Sequence, residues 1–203
     1  LTLILAALGL AMSMPLALLI ALARVSPFGW LRVASKALVN VVRGMPLLML
    51  IFWAYFVVPK LTGQVVSGFW TLIFALVVYE SAYLSEVIRS GIEAVPRGQI
   101  EASRSLGVGY WTTMRKVVLP QALFNVLPSM TSQFVSTIKE TSLGYVISVN
   151  ELTFAANQVN NLVLTQPLQV FGILAIIYFL VCFSLSRGLS WLDLRIRRSR
   201  AMA

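Results

Sequence analysis

Leu168-Gln169-Val170-Phe171-Gly172-Ile173-Leu174-Ala175-Ile176-Ile177-Tyr178-Phe179-Leu180-Val181-Cys182-Phe183-Ser184-Leu185 runs without a single formal charge. A helix of about 20 apolar residues crosses the hydrocarbon core of a bilayer, and this stretch approaches that length. Working outward, four more segments can be marked. They are Leu1 to about Ala23, Ala37 to about Val58 (interrupted by Arg43 and Pro46), Val65 to Tyr79 continuing helically through Glu80 to about Ile88, and Val117 to Ile138. The expected fold is all-α, a polytopic bundle of five transmembrane helices forming one domain over residues 1–203. The fourth segment is rich in Ser, Thr, Asn, Gln and Pro. Such a segment survives in lipid only when packed on protein or lining a cavity, so it belongs inside the bundle and the fifth nearer lipid.

Composition agrees. Of 203 residues, 59% are hydrophobic and 11% charged, with mean hydropathy +0.86; a soluble domain carries about 25% charged residues. There is no histidine, and the one cysteine is Cys182, so the usual ligands of a transition-metal site and any disulfide framework are missing. The net charge of +9 is spread between apolar segments, which argues against nucleic acid as a partner. Leu1 opens in the middle of an apolar run, as at a truncated terminus and unlike a signal peptide.

Basic residues orient the bundle. The connection after segment one holds Arg24, Arg32 and Lys36, and that after segment three holds Arg89, Arg97, Arg104, Arg115 and Lys116. The tail, about 187–203, holds Arg187, Arg195, Arg197, Arg198 and Arg200. Cytoplasmic loops carry the excess of Lys and Arg, so these three regions face the cytoplasm and the N-terminus faces out. Lys60 and Lys139 remain for the other side.

The cytoplasmic connection, about 93–116, contains Glu93-Ala94-Val95-Pro96-Arg97-Gly98-Gln99-Ile100-Glu101-Ala102-Ser103-Arg104-Ser105-Leu106-Gly107-Val108-Gly109. Pro96 starts a short helix, and Gly107 and Gly109 end it by allowing positive φ. A helix of two to three turns is not stable alone, so it packs on the bundle ends or on another protein.

Glu101-Ala102-Ser103, then Gly107, then Val117-Val118-Leu119-Pro120 resembles the EAA loop of ABC importer permeases, with Ser103 for the second alanine and Val117 for isoleucine. The resemblance extends to the polar amino acid permeases (histidine, glutamate, glutamine, arginine). Arg43-Gly44-Met45-Pro46-Leu47-Leu48, Ala82-Tyr83-Leu84-Ser85-Glu86-Val87-Ile88-Arg89 and Lys139-Glu140-Thr141-Ser142-Leu143 are similar to that family's elements, Glu140 standing where Asp is commoner. The wording is closest to glutamate/aspartate permeases. The resemblance implies a coupling helix, with Arg97, Gln99, Glu101, Ala102, Ser103, Arg104, Leu106 and Gly107 contacting a separate ATPase. It also implies two ATPase subunits holding ATP and Mg, a second permease that is identical or related, and a periplasmic amino-acid-binding protein. The setting is the bacterial inner membrane. There is no Gly-Lys dipeptide, hence no Walker A loop, so the chain is not the ATPase and is expected to bind no cofactor.

Charges inside spans each need an explanation, because an unpaired one costs about 2.5–3.5 kcal/mol on insertion scales. Arg43 and Glu86 have similar expected depths and could pair; Arg89 competes for the same carboxylate at helical spacing. Glu80 either lines the translocation cavity or bonds a neighbouring helix, and Ser81, Asn125, Ser129, Thr131, Ser132 and Gln133 share that choice. Lys139 and Glu140 lie in what resembles the outer loop near a gate, or simply end a helix.

Overall fold

The computed structural model describes the backbone through Ala201 and side chains through Arg195; Arg197, Arg198 and Arg200 of the basic tail lie outside the described side chains. Every described element is helical. Helix α1, Thr2–Arg24, packs parallel along α4, Gly68–Glu93, with Gly9 against Leu76 and Arg24 against Glu86, in the most extensive helix contact of the structure. The buried face of α1 is built largely from small residues, Ala6, Gly9, Ser13, Ala17 and Ala21. Small residues let helix backbones approach in lipid, where no hydrophobic force drives helices together. Helix α4 buries residues along its full length, from Thr71 to Ile92, and is the axis of the bundle.

The second expected span is not one straight helix. It is α2, Gly29–Arg43, and α3, Leu47–Thr62, bent by 97° across Gly44-Met45-Pro46. Pro46 is extended (φ −63, ψ 138). A proline offers no N–H to the ladder and disfavours helical geometry in the residue before it, so the helix stops at Arg43 and restarts on a new axis.

Two wide π turns, Trp53–Val57 and Met114–Val118, precede Pro59 and Pro120. In each, the wider turn relieves the clash between the proline ring and the carbonyl four residues back.

The short helix α5, Arg97–Ser105, leads to α6, residues 110–125, and α7, Leu127–Glu140. The fourth expected segment is therefore broken at Val126, ahead of Pro128, and is not a single long apolar helix. Close approach of α6 to α4 needs Gly91, where a Cβ would lie 2.7 Å from the Ala122 carbonyl oxygen. A 3-10 turn, Thr141–Ile147, and α8, Leu152–Val163, lead into α9, Pro167–Ala201. Its apolar stretch is left unburied by the chain, as expected of a lipid-facing segment. Three described helices are long and apolar enough to cross a membrane, four if the bent pair counts as one.

Candidate functional site

Helix α5 is capped at both ends by backbone geometry. Pro96 is extended ahead of it. At its end Gly107 takes φ +75, with Gly107 N–H donating to the Arg104 carbonyl (2.9 Å) and Val108 N–H to that of Ser103 (3.0 Å). This pair of bonds is a Schellman motif, which needs a residue without a Cβ penalty at the left-handed position. Gly109 does not share the role: its φ is −66, and it precedes α6.

Of the helix's expected contact residues, Arg97, Gln99, Glu101, Ala102, Arg104, Leu106 and Gly107 are exposed. Ser103 is not. Its side chain turns into the chain's own bundle, and its hydroxyl donates to the Gln99 carbonyl (2.9 Å), so this position serves the seating of α5. Gln121 of α6 donates to Gln99, and the Tyr110 hydroxyl donates to the Val25 carbonyl (3.0 Å), tying α5 and its flanks to α1.

Nearer the membrane, the Glu86 carboxylate gathers three arginines. Arg24, the last residue of α1, and Arg89, one turn along α4, both donate to it, while Arg43 stands 3.8 Å away. Arg89 also holds Glu93. Arg43 and Arg89 both stand within ion-pair distance of Glu86, but the tight long-range partner is Arg24, which the sequence places only in the connection after segment one. The available signal was that Arg24 closes α1 and Glu86 lies near the end of α4, so two spans running in the same direction bring them to the same depth. Arg43 is 40% exposed and lies over the Tyr83 ring, 5.1 Å from its centroid.

About 9 Å further along α4, by helical rise, Glu80 is fully buried. Gln133 Nε2 donates to it at 2.9 Å and the Thr137 hydroxyl at 2.7 Å, both from α7. Thr137 was not among the expected residues, although it lies one helical turn after Gln133. The Ser136 hydroxyl donates to Glu140 at 3.3 Å, and the other Glu140 oxygen is buried with no hydrogen-bond partner among the described residues. Lys139 is exposed and has no ion pair among the described residues.

The remaining candidates divide. Ser81, Thr131 and Ser132 donate to the carbonyls of Val78, Leu127 and Pro128 in their own helices. Asn125, Ser129 and Ser132 lie on a face of residues 110–140 that this chain leaves open. A polar helix face is stable in a membrane only against protein or water.

The chain matches the family of binding-protein-dependent transport system inner membrane components over residues 13–198. It belongs to that family. This permease is 34% identical over 98% of its length to the inner membrane amino-acid ABC transporter permease protein YhdY of Escherichia coli K12, and it spans 56% of that relative. It is 40% identical over 78% of its length to the probable glutamine ABC transporter permease protein GlnP of Bacillus subtilis 168, covering 73% of that protein. A crystal structure of an amino acid ABC transporter with histidines superposes at TM-score 0.87 and 33% identity, covering 96% of this permease and 90% of the matched chain. The membrane-type ABC permease fold is thereby shown.

Proposed function

We propose that this permease carries a polar amino acid across the bacterial inner membrane by alternating access, driven by ATP and Mg bound on two separate ATPase subunits. One observation carries the reading: α5 is a capped nine-residue helix that buries Ser103 and leaves Glu101, Ala102, Arg104 and Leu106 uncovered. A helix so short holds a fixed shape only because its ends are capped and one side is seated, and its free side is then a rigid docking surface. Glu101 offers a carboxylate to basic groups of the ATPase, and Ala102 permits close approach.

In this reading α2 with α3, and residues 110–140, each count as one crossing of five. The N-terminus is periplasmic, the C-terminus cytoplasmic, and α5 is the coupling helix. A second permease, identical or related, covers the open face of Asn125, Ser129 and Ser132, and the half-buried Gln133, whose amide also holds Glu80, borders the substrate path between the two. A periplasmic binding protein delivers the cargo. The sequence resemblance favours glutamate or aspartate, whereas the Bacillus subtilis relative is named for glutamine.

The test is uptake by the reconstituted permease–ATPase complex with its binding protein, using labelled glutamate against competing aspartate, glutamine and histidine. ATP-dependent uptake of none of these would overturn the reading.

A further inference from the structure

Beside α5, at the end of the molecule where Arg24, Arg32, Arg97 and Arg104 converge, lies a cavity of about 510 Å³. Those four arginines reach it from three different helices, α1, α2 and α5. Its one lining carboxylate, Glu93, is held by Arg89. Arg24 is engaged by Glu86, but Arg32, Arg97 and Arg104 have no carboxylate at ion-pair distance among the described residues. The cavity is thus strongly cationic, with four arginines and a single carboxylate that Arg89 already holds.

A second observation is independent of the charges. Thr113 lines the same cavity, is 4% exposed, and its hydroxyl has no hydrogen-bond partner among the described residues. A buried hydroxyl left unpaired forfeits its hydration without a replacement, so such a group calls for a partner. Several guanidinium forks and one hydroxyl around one space match an anion with several acceptor oxygens, as a phosphate has. The remaining wall is apolar, including Val25, Ile92, Met114 and Val118. Next to it, α2 and the residue before it expose Phe28, Trp30 and Val33. Aromatic side chains at the end of a membrane helix sit at headgroup level. A free phosphate uses none of this apolar surface; a phospholipid uses both kinds.

We propose that this cavity binds the phosphate headgroup of an anionic glycerophospholipid from the inner leaflet, whose acyl chains run along α2. Basic pockets between helices on the cytoplasmic side are suited to anionic lipid headgroups. The bound phosphate would bridge α1 and α2 to α5, and so stiffen the seat of the helix that docks the ATPase. The site does not depend on which amino acid is carried.

Native mass spectrometry of the assembled permease–ATPase complex tests this, with phosphatidylglycerol or phosphatidylcholine added to delipidated protein. The expected result is retention of phosphatidylglycerol, one per permease, over phosphatidylcholine. Arg32→Gln and Thr113→Val should each weaken retention about tenfold, the loss of one charge-assisted or buried bond. Arg32→Lys, which keeps the charge, should restore part of it. If Arg32→Gln prevents assembly, the near-isosteric Thr113→Val carries the test. Equal retention by wild type and Thr113→Val overturns the proposal. So does occupation by inorganic phosphate with no preference for the lipid, or phosphatidylglycerol bound only when the ATPase is absent, which would mean that an acidic group of the ATPase fills the cavity.

Discussion

The Thr137 hydroxyl on α7 donates to the fully buried Glu80 carboxylate on α4 across 2.7 Å, with Gln133 one turn away completing the pair of donors. These two bonds fasten the broken fourth segment to the central helix. Thr137→Val should remove one donor while keeping volume, leaving a buried carboxylate short of a bond at a cost of about 1–3 kcal/mol. Thr137→Ser should cost little. Thermal unfolding of the purified complex measures both, and equal melting of Thr137→Val and wild type would contradict this role.

Arg24 and Arg43 both approach Glu86, but in unlike settings. Arg24 is 9% exposed and bonded directly; Arg43 is 40% exposed and 3.8 Å away. Removing one partner of a buried pair costs about 3–5 kcal/mol, whereas a solvated pair is worth about 0–1 kcal/mol. Arg24→Ala should therefore destabilise the complex well beyond Arg43→Ala. Double-mutant cycles with Glu86→Gln should give strong coupling for Arg24 and weak coupling for Arg43; the reverse ranking would refute the assignment.

The Schellman turn at Gly107 sets the end of α5. Gly107→Ala places a Cβ at φ +75, costing about 1–2 kcal/mol locally. It should lower ATPase stimulation and uptake together. Glu101→Lys reverses a charge on the exposed side of α5 without touching a span, and should leave membrane insertion intact while transport falls. Full uptake by both variants would sink the coupling role of this helix.

Topology is testable in a Cys182→Ser background. A cysteine at Arg104 should be labelled from the cytoplasmic side only, and one at Gly63 from outside only. Both positions are exposed at chain level. Labelling of both from one side is incompatible with five crossings.

Local information carried much of this molecule. Apolar length alone marks α1, α4 and α9 as spans, because the cost of leaving backbone polar groups unpaired in lipid makes a long apolar run helical whatever surrounds it. Pro96 and Gly107 bound α5 for reasons internal to the chain, since one lacks an N–H and the other a Cβ. The rest required the third dimension. That Pro46 turns the chain by 97° and does not merely kink it depends on how α3 seats against α4. Gly107 and Gly109 were both expected to allow positive φ, and only the folded turn shows that Gly107 alone adopts it. Arg24 reaches Glu86, and Thr137 reaches Glu80, because α1 and α7 lie against α4 at particular heights and rotations. A one-residue rotation of either helix, about 100°, would present a different side chain, and no local propensity specifies that angle. Helix existence was therefore readable from composition and spacing, while the choice of partner for each buried charge was settled only by packing.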